Sequence, residues 1–421
     1  MAAPEPVPFF QEIRNAVKEH AKNVIKYIGY KAVLPLIYKW YARKPIDEKL
    51  VMFADIRDRG MPDNFLGLYR MCQKNGFRCE VLSGRPFGEQ VPRWRRRKEK
   101  LKFHFQFIKL FARCRALFLV EYFPLAYIVA PRTGTDVVQL WHACGAMKMF
   151  GYSTVEKAWG GPVKKLYPIH NTYTLACVSG QKAVAPFEHG FRCKPGIVQA
   201  MGCPRTDIYF DEKAKAAATQ KVRSMFPEVR DRKIILYAPT FRGNSVATAH
   251  TELNLKFREI LSGLSEEYAL FVKLHPQTAR TDGISETDRV MCQDSLFDVS
   301  RELSAEEALC SADILITDYS SIMFEFLLLE RPIISYIYDI DDYIRDRGLY
   351  YPYEQLAPGP YVFTQEELIE KLQTVSEWFD LKKTRRYREE FMSACDGHST
   401  ERIYRYVFGS ESRDEGEAVS G

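Results

Sequence analysis

The sequence predicts an α/β protein of two Rossmann-like domains, each with a parallel sheet covered by helices. The 421 residues exceed what one hydrophobic core usually serves, which is about 250–300 residues. Short apolar runs alternate with helical segments, as in parallel sheets covered by helices. This alternation is interrupted by a polar helical segment between Asp207 and Asp231 and then restarts. We therefore expect two domains that face a cleft.

The N-terminal segment, residues 1–45, mixes apolar and basic residues at helical spacing. Ile13 and Val17 share one face, Lys18 and Lys22 lie beside it, and Pro35 is expected to kink or break the helix. The pattern fits an interfacial membrane helix and a helix docked on its own domain equally well. Without a cleavable signal or a run of about 20 apolar residues, we expect peripheral association with the cytoplasmic, inner-leaflet surface of the cell membrane.

The first domain is predicted over residues 46–210, where apolar runs of strand length end in small or polar residues. Helical segments separate the earliest of these runs, which predicts one parallel sheet. The predicted strands are 49–56, 79–84, 115–121, 136–142, 174–180 and 196–202, and the predicted helices are 64–73 and 95–114.

The second domain is predicted over residues 211–385, where the alternation resumes. A long helical stretch from Gln365 to Phe408 includes the closing helix of residues 386–409, and the small polar residues 410–421 predict a disordered tail. The predicted strands are 233–239, 268–276, 289–294, 312–318 and 331–337, and the predicted helices are 304–310 and 321–330.

Composition and charge narrow the class of protein. The net charge is +6, and Lys and Arg crowd the first 115 residues, which favours a basic face towards anionic lipid or an anionic substrate. The ten cysteines show no CxxC pair and no zinc-type spacing, so we expect reduced thiols and no dedicated metal site. The basic run WRRRKEKLK lacks a recognised binding motif, so we expect no nucleic acid partner.

The strongest motif lies at the end of the strand predicted over residues 312–318. Asp318 ends the strand, and Ser320 and Ser321 open a helix. A helix N-terminus offers unpaired N–H groups and partial positive charge, to which serine hydroxyls add donors, so the motif suits a phosphate group. The alternative is plain N-capping by either serine. Glu325, one turn inside the helix, either reaches ribose hydroxyls or is a partly exposed helix carboxylate.

Two further strand ends in the second domain carry polar side chains. Thr240 and Arg242 follow the strand predicted over residues 233–239, and arginine offers a planar donor fork suited to phosphate oxygens. His275 ends the strand predicted over residues 268–276. It can reach the cleft or be a structural histidine.

Two strand ends of the first domain carry comparable groups. His142 ends the strand predicted over residues 136–142, and a neutral imidazole there can accept a proton from a hydroxyl near neutrality. Arg205 and Asp207 follow the last strand of that domain and can equally form an interdomain ion pair. Because ligands bind beyond the carboxyl ends of parallel strands, these side chains are candidates for the chemistry.

The ordered motifs WHACG, GCPRTD, YAPTFR, KLHP, TDYSS with FEF, RPIISYIYDIDDY and RGLYYPYEQLAPGP resemble the CDP-glycerol glycerophosphotransferase family. That family includes the primases and polymerases of teichoic acid synthesis, and the resemblance runs from about Lys49 to Arg402. It implies a GT-B-like fold with the donor in the C-terminal domain and a membrane-associating N-terminal region. The chain has WHACG where the family often has WHG, and Glu325 where it often has Asp.

The resemblance also implies roles for individual residues. His142 would be the catalytic base and His275 a second essential histidine near the reacting phosphate. Asp318 and Glu325 would support the site or the cytidine ribose. The residues that would hold the donor's diphosphate are Ser320, Ser321, Arg242 and Thr240. The residues that lie in family motifs without an assigned role are Arg205, Asp207, Arg347 and Gly348.

The function that follows is transfer of glycerol phosphate, or a related polyol phosphate, from CDP-glycerol to a hydroxyl of a membrane-bound, lipid-linked acceptor, with release of CMP. A divalent cation such as Mg²⁺ can accompany the donor phosphates. A GT-B glycosyltransferase that uses a nucleotide sugar shares the expected fold, so the fold does not separate the two functions. A catalytically silent membrane-surface protein is the remaining alternative.

Overall fold

The chain falls into two compact units in a computed structural model. The first unit is Met1–Pro62, Tyr69–Gln139 and Ile169–Thr174, and the second is Asp63–Leu68, Leu140–Pro168 and Leu175–Gly421. The structure describes residues 24, 27–56, 60–84, 91–154, 169–243, 249–275, 278–279 and 281–409. Most of the predicted N-terminal helix before residue 27 and the predicted tail of residues 410–421 lie outside the described residues.

The first sheet has six strands in the spatial order β2-β1-β3-β4-β5-β6. This is the doubly wound order in which the chain reverses direction across the sheet between β1 and β3. The strands are β1 (Asp47–Asp55), β2 (Arg78–Ser83), β3 (Cys114–Leu119), β4 (Asp136–Gln139), β5 (Leu175–Cys177) and β6 (Val198–Gln199).

The second sheet has six strands in the order β12-β11-β10-β7-β8-β9, and all neighbouring strands in it are parallel. Numbered within the sheet, the order is 3-2-1-4-5-6, which is the Rossmann order, with its switch point between β7 and β10. The strands are β7 (Lys233–Ala238), β8 (Tyr268–Val272), β9 (Leu296–Asp298), β10 (Ile314–Thr317), β11 (Ile333–Tyr336) and β12 (Tyr361–Val362).

Fifteen α-helices connect or flank these strands in the described residues. They are α1 (Leu34–Tyr41), α2 (Asp63–Lys74), α3 (Arg93–Phe111), α4 (Val184–Phe191), α5 (Glu212–Met225), α6 (Phe257–Ser262), α7 (Glu286–Met291), α8 (Ala305–Ser311), α9 (Ile322–Leu327), α10 (Ile340–Asp346), α11 (Tyr353–Leu356), α12 (Gln365–Gln373), α13 (Val375–Trp378), α14 (Leu381–Met392) and α15 (Ser399–Phe408). None of the described helices is both long enough and apolar enough to cross a membrane.

The second sheet is buried on both faces, which explains its continuous apolar strands. Leu236 and Leu315 belong to the hydrophobic cluster on one face. Their strand neighbours Ile235 and Ile316 belong to the cluster on the other face. Side chains alternate across a strand, so each strand serves two cores and its polar residues are confined to its ends.

The predicted strand of residues 289–294 is wrong, because most of that segment lies in or directly after helix α7. Ser285 caps this helix by accepting a hydrogen bond from the Asp288 N–H, and Glu286 and Asp288 place negative charge in its first turn. These local interactions favour a helix. The strand at this position is β9, which begins at Leu296.

The predicted helical stretch from Gln365 to Phe408 consists of four helices, α12 to α15. Asp380 accepts hydrogen bonds from the Lys382 and Lys383 N–H groups and starts α14 after the break. A further break precedes α15, where Gly397 has a φ of +89°.

Near the N-terminus, the sequence predicts that Pro35 kinks or breaks the helix, and the helical geometry changes just before this residue. A π-helical turn ends at Val33, and the proline lies in the first turn of α1, where a missing N–H is tolerated.

Candidate active site

The switch point of the second sheet brings two of the predicted motifs together. Thr317 on β10 is paired with Ala238 on β7, and its hydroxyl donates to the Ala238 carbonyl at 2.7 Å. Just beyond this pair, the Thr240 N–H donates to Asp318 Oδ1 at 2.8 Å. The loops that leave the two strands are therefore fixed to each other where a Rossmann fold binds ligands.

Arg242 crosslinks this site instead of presenting a free donor fork. Its Nε and Nη2 donate to Asp339 at 2.7 and 3.0 Å. Its Nη1 donates to Asp318 Oδ2 at 3.0 Å and to the Thr240 carbonyl at 2.6 Å. Burial disfavours the cation, but Asp318 and Asp339 outweigh it and raise the pKa of Arg242. The guanidinium is thus already committed to two carboxylates.

The residue between the strand and the serines, Tyr319, is fully buried and immobilised. Its hydroxyl donates to Asp339 Oδ1 at 3.0 Å, and its ring stacks on Tyr343 with centroids 3.8 Å apart. Burial, followed by the Asp339 carboxylate, raises the pKa of Tyr319. The Tyr353 hydroxyl donates to the Asp318 carbonyl at 2.6 Å. The backbone that leads into the serine pair is held on both sides.

The serine pair opens α9 as the sequence predicts. Ser321 is the N-cap residue, and its side chain makes no capping hydrogen bond. Ser320 Oγ accepts from the Ile322 N–H at 3.4 Å, which is long for such a bond. Both serines are half-buried. Neither hydroxyl is strongly engaged in capping, so both can donate to a ligand.

Glu325 lies one turn into α9 and is only 4% exposed. It accepts a hydrogen bond from Arg205 and one from the Tyr209 hydroxyl at 3.3 Å. Burial raises its pKa, while Arg205 counteracts this. The carboxylate is therefore a buried partner of Arg205 and not a partly exposed helix carboxylate.

A second acidic residue next to this pair was not found from the sequence. Asp63 at the start of α2 has its pKa raised to about 6, first by burial and then by the charge of Glu306 and a side-chain hydrogen bond with it, while Arg205 acts in the opposite direction. Arg205 therefore neutralises a group of carboxyls. Its ion pair with Glu325 joins residues of the two predicted domains, which is the alternative that the sequence left open for Arg205.

Asp207 has a separate structural role. Its two carboxylate oxygens accept hydrogen bonds from the Ser399 and Thr400 N–H groups, each at 2.9 Å. These are free N–H groups of the first turn of α15, so Asp207 caps that helix. The prediction had left its role open.

His142 lies one residue after a strained backbone position. Trp141 has a φ of +56°, a left-handed conformation that is unfavourable for a bulky residue. The Asn64 amide donates to the Trp141 carbonyl at 2.8 Å, and Asn64 Oδ1 accepts from the Arg205 N–H at 3.0 Å. The half-buried His142 ring stacks on the Trp141 ring with centroids 4.5 Å apart. Asn64 thus fixes the turn that presents the imidazole.

Sequence reasoning missed Asn64 because an asparagine at a helix start usually means only a cap. The Trp141 ring also packs against Phe150 and Phe191, with centroids 4.9 and 5.3 Å away. These contacts stabilise the strained turn and leave little freedom for the adjacent histidine.

The loop after His142 passes directly against α9. Gly145 has a φ of +65°, and a Cβ built there would lie 2.3 Å from the Phe324 ring. Its N–H donates to Ser179 Oγ at 2.8 Å. Three residues span at most about 11 Å, so His142 lies within that distance of a glycine in contact with the serine-started helix.

The same loop continues into a short antiparallel pairing. The Met149 N–H donates to the Gly348 carbonyl at 3.1 Å, and the Tyr350 N–H donates to the Met147 carbonyl at 2.9 Å. Gly348 has a φ of +74°. Lys148, between these bonds, was not singled out from the sequence. Burial lowers its pKa to about 8, although Asp318 acts in the opposite direction.

Arg347 and His275 both lie close to the Phe241 ring. The Arg347 guanidinium donates to the Gly243 carbonyl and is centred 5.7 Å from the Phe241 ring. The His275 ring centroid lies 4.9 Å from that of Phe241. Both therefore contact the loop after β7, which also carries Arg242.

No group of three or more His, Cys, Asp or Glu side chains in the described part of the chain is arranged to hold a metal ion. The anionic groups at the switch point are committed to arginine. The chemistry of the site, with serine hydroxyls, N–H groups and lysine and arginine side chains, suits an anion such as a phosphate.

Similar solved structures define the fold class. A structure of the wall teichoic acid polymerase TagF aligns with a TM-score of 0.70 at 20% identity, over 94% of this chain and 97% of that chain. A UDP-GlcNAc 2-epimerase from Neisseria meningitidis aligns with a TM-score of 0.54 at 11% identity, over 85% of this chain and 98% of that chain. The predicted GT-B-like class, with two Rossmann-type domains, is confirmed.

Sequence comparison then identifies the family. The model for CDP-Glycerol:Poly(glycerophosphate) glycerophosphotransferase matches residues 36–409. The teichoic acid ribitol-phosphate primase of Bacillus spizizenii is 32% identical over 382 residues, covering 90% of this chain and 95% of the primase. The teichoic acid glycerol-phosphate primase of Bacillus subtilis is 32% identical over 289 residues, covering 68% of this chain and 71% of the primase. The chain belongs to this glycerophosphotransferase family and is a transferase, as its motifs predicted.

Proposed function

We propose that this enzyme transfers a polyol phosphate from a CDP-polyol to a hydroxyl of a membrane-bound, lipid-linked acceptor and releases CMP. The observation that carries the proposal is the arrangement at the switch point of the second sheet. There the serine-started helix α9, the loop after β7 and the loop after His142 converge in a chain of this family.

The donor's diphosphate is assigned to Ser320, Ser321 and the Thr240 hydroxyl. Thr240 Oγ1 is buried and has no hydrogen-bond partner within the described structure, and an unsatisfied buried hydroxyl is costly unless a ligand engages it. Arg242 is assigned a positioning role, because its donors are used by Asp318 and Asp339. Glu325 acts on the cytidine ribose side through its contact with Arg205.

The reaction is a direct displacement at the β-phosphorus of the donor. The acceptor oxygen bonds to that phosphorus as the bond to the bridging oxygen of CMP breaks, and the acceptor proton passes to His142. His275 stands near the reacting phosphate. Such reactions depend mainly on positioning and on electrostatic stabilisation of the phosphoryl oxygens. In this proposal, any divalent cation such as Mg²⁺ is bound by the phosphates of the donor.

The first unit supplies a surface suited to the membrane that holds the acceptor. Leu36 and Trp40 on α1 are 65% and 57% exposed, and Trp94 and Leu101 on α3 are 67% and 57% exposed. Basic residues surround the apolar side chains of α3, whose sequence begins RWRRRKEKLK. Exposed aromatic and aliphatic groups among lysines and arginines favour an anionic lipid surface. We therefore place the enzyme at the cytoplasmic face of the membrane.

CDP-ribitol is a second candidate donor. The ribitol-phosphate primase of B. spizizenii matches over 90% of this chain, whereas the glycerol-phosphate primase of B. subtilis matches over 68%. A variant of TagF soaked with CDPG has a similar fold, with a TM-score of 0.70 at 18% identity. Neither comparison separates the two polyols.

A nucleotide-release assay tests the proposal. The purified chain is incubated with a lipid-linked saccharide acceptor and, in separate reactions, with CDP-glycerol, CDP-ribitol and UDP-sugars. We expect acceptor-dependent CMP release with at least one CDP-polyol. Release of UDP from a sugar nucleotide would instead support the glycosyltransferase alternative. The absence of any nucleotide release would support a silent surface-binding protein. Parallel reactions with EDTA and with Mg²⁺ measure the contribution of a divalent cation.

A further inference from the structure

Lys148 has a half-buried side chain whose ammonium group has no hydrogen-bond acceptor among the described residues. Five lysines of the described residues are half-buried, and the other four donate to an oxygen. Those pairs are Lys182 with Glu390 at 2.6 Å, Lys215 with Glu212 at 2.7 Å, Lys273 with the Leu303 carbonyl at 2.7 Å, and Lys371 with Glu370 at 3.0 Å. Lys148 has instead only the face of the Tyr343 ring, 5.9 Å from Nζ.

The backbone holds Lys148 in this position. Lys148 and Leu349 form an antiparallel bridge, and the hydrogen bonds of Met149 with Gly348 and of Tyr350 with Met147 flank it. The side chain therefore leaves a fixed segment. Burying an unpaired charge is costly, so a half-buried lysine without an acceptor points to a partner that arrives from solution.

The surrounding charges favour an anionic partner. The charged groups that act on Lys148 are Asp318 at the end of β10, Arg347 after α10 and Arg242 after β7. Arg242 also holds Asp339. Asp346 acts on Arg347, and the carboxylates of Asp318 and Asp339 already accept hydrogen bonds from Arg242. Lys148 therefore has no hydrogen-bonded carboxylate of its own among the described residues at the start of the serine helix.

We propose that Lys148 is the cationic ligand of the donor's diphosphate, the role that the sequence had suggested for Arg242. This inference rests on the proposed function, because it takes the donor to be a CDP-polyol. The lysine would replace its missing acceptor with phosphate oxygens, and Arg242 would hold the Asp318 carboxylate in place beside it.

The binding of CDP to Lys148 should depend on pH. With its pKa lowered to about 8 by burial, Lys148 is partly neutral at pH 8.5 in the free enzyme, and a bound diphosphate favours its charged form. Phosphate groups are fully ionised at that pH. Binding of CDP should therefore take up a fraction of a proton near pH 8.5. Affinity should fall as the pH rises through 8.

Titration calorimetry with CDP tests the inference on the full chain. Lys148→Met should weaken CDP binding about 10- to 100-fold, the effect of losing a charge-assisted hydrogen bond, while Lys148→Arg should retain most of the affinity. Titrations in two buffers with different ionisation enthalpies should show proton uptake at pH 8.5 in the wild type and none in Lys148→Arg, because arginine stays charged. Lys182→Met is the matched control, since it removes a half-buried lysine that already has an acceptor.

Thermal unfolding without ligand distinguishes a binding role from a structural one. A pKa lowered on folding means that the charged lysine destabilises the folded state below pH 8. Lys148→Met should therefore raise the melting temperature at pH 7, whereas Lys182→Met should lower it. If Lys148→Met fails to fold, the proton uptake of wild type and Lys148→Arg decides alone.

Equal CDP affinity in wild type and Lys148→Met would overturn the inference and leave the proposed function standing. Equal proton uptake in wild type and Lys148→Arg would do the same. A wild-type enzyme that neither binds CDP nor releases CMP would overturn both.

Discussion

The role of each candidate residue depends on whether its polar groups already have partners within the protein. The hydroxyls of Ser320, Ser321 and Thr240 are weakly engaged or unpaired, whereas Arg242 and Glu325 are fully paired with protein groups. A sequence shows residue types at strand ends. It does not show whether a hydrogen-bond donor is already bonded to another protein group. A donor that is not bonded can bind a ligand, whereas a bonded donor can only position its neighbour.

His142→Ala should reduce CMP release by about 10²–10⁴-fold, because a positioned base contributes that much to proton transfer. The ring is half-buried and rests on Trp141, so folding and CDP affinity should change little. Turnover with saturating CDP-polyol, CDP titration and thermal unfolding measure the three quantities. His398→Ala, which alters an exposed histidine, serves as the control. Near-normal turnover in His142→Ala would remove this residue from the mechanism.

Arg242→Ala should destabilise the fold by about 3–5 kcal/mol, because it leaves the carboxylates of Asp318 and Asp339 without their shared cation. The Arg242 side chain is 13% exposed. Urea unfolding measures the loss, and CDP affinity should fall with it as the switch point loosens. Arg345→Ala, an exposed arginine paired with Asp342, should change stability little. Full stability together with weakened CDP binding in Arg242→Ala would instead make Arg242 a direct phosphate ligand.

Among the elements, the contact between α9 and the loop after His142 matters most for the site. The loop approaches so closely that Gly145 has no room for a side chain. Gly196 also has a positive φ, +85°, but an added Cβ would meet nothing within 4 Å. Substitution of either glycine strains the backbone, but only substitution of Gly145 also creates a steric clash.

Gly145→Ala should cost about 1–3 kcal/mol more in the free energy of unfolding than Gly196→Ala, because overpacking adds to the strain that both share. It should also lower turnover by shifting His142 relative to α9. Denaturant unfolding and CMP release are the measurements. Equal effects of both substitutions on stability and turnover would show that this contact does not position the histidine.

The strands of both sheets were largely predictable, because a parallel strand buried on two faces must be a continuous apolar run. The segment of residues 289–294 was not, because a short run around Val290 and Met291 suits a strand and a helix alike. Capping by Ser285 stabilises the helix in this segment. The site was predictable as a set of strand ends. Its pairings were not, since Arg242 and Asp339 are 97 residues apart, and Lys148 is placed by a bridge to Leu349.

The proposed transfer to a membrane-bound acceptor requires two properties in one chain. These are a donor site in the second unit and a lipid-facing surface in the first. The exposed apolar residues are not confined to the first unit, since Val290 and Met291 on α7 are 65% and 57% exposed. Their surroundings differ, because α3 carries the basic run and α7 begins with acidic residues.

The combined substitution Trp94→Ala and Leu101→Ala should lower partition onto anionic vesicles about 10-fold or more, because it removes apolar area that would enter the lipid. Added salt should weaken the wild-type binding as well. Vesicle sedimentation measures both. Val290→Ala with Met291→Ala is the matched control and should leave binding unchanged. If both double variants bind vesicles equally, α3 does not contact the membrane.

The most direct test of the account is an experimental structure of the enzyme with CDP bound. The account predicts the diphosphate at the start of α9, with oxygens within hydrogen-bonding distance of the Ser320 and Ser321 groups and of Lys148 Nζ, and with Arg242 still paired to Asp318 and Asp339. A diphosphate bound elsewhere, or held by Arg242 after release of the two carboxylates, would contradict it.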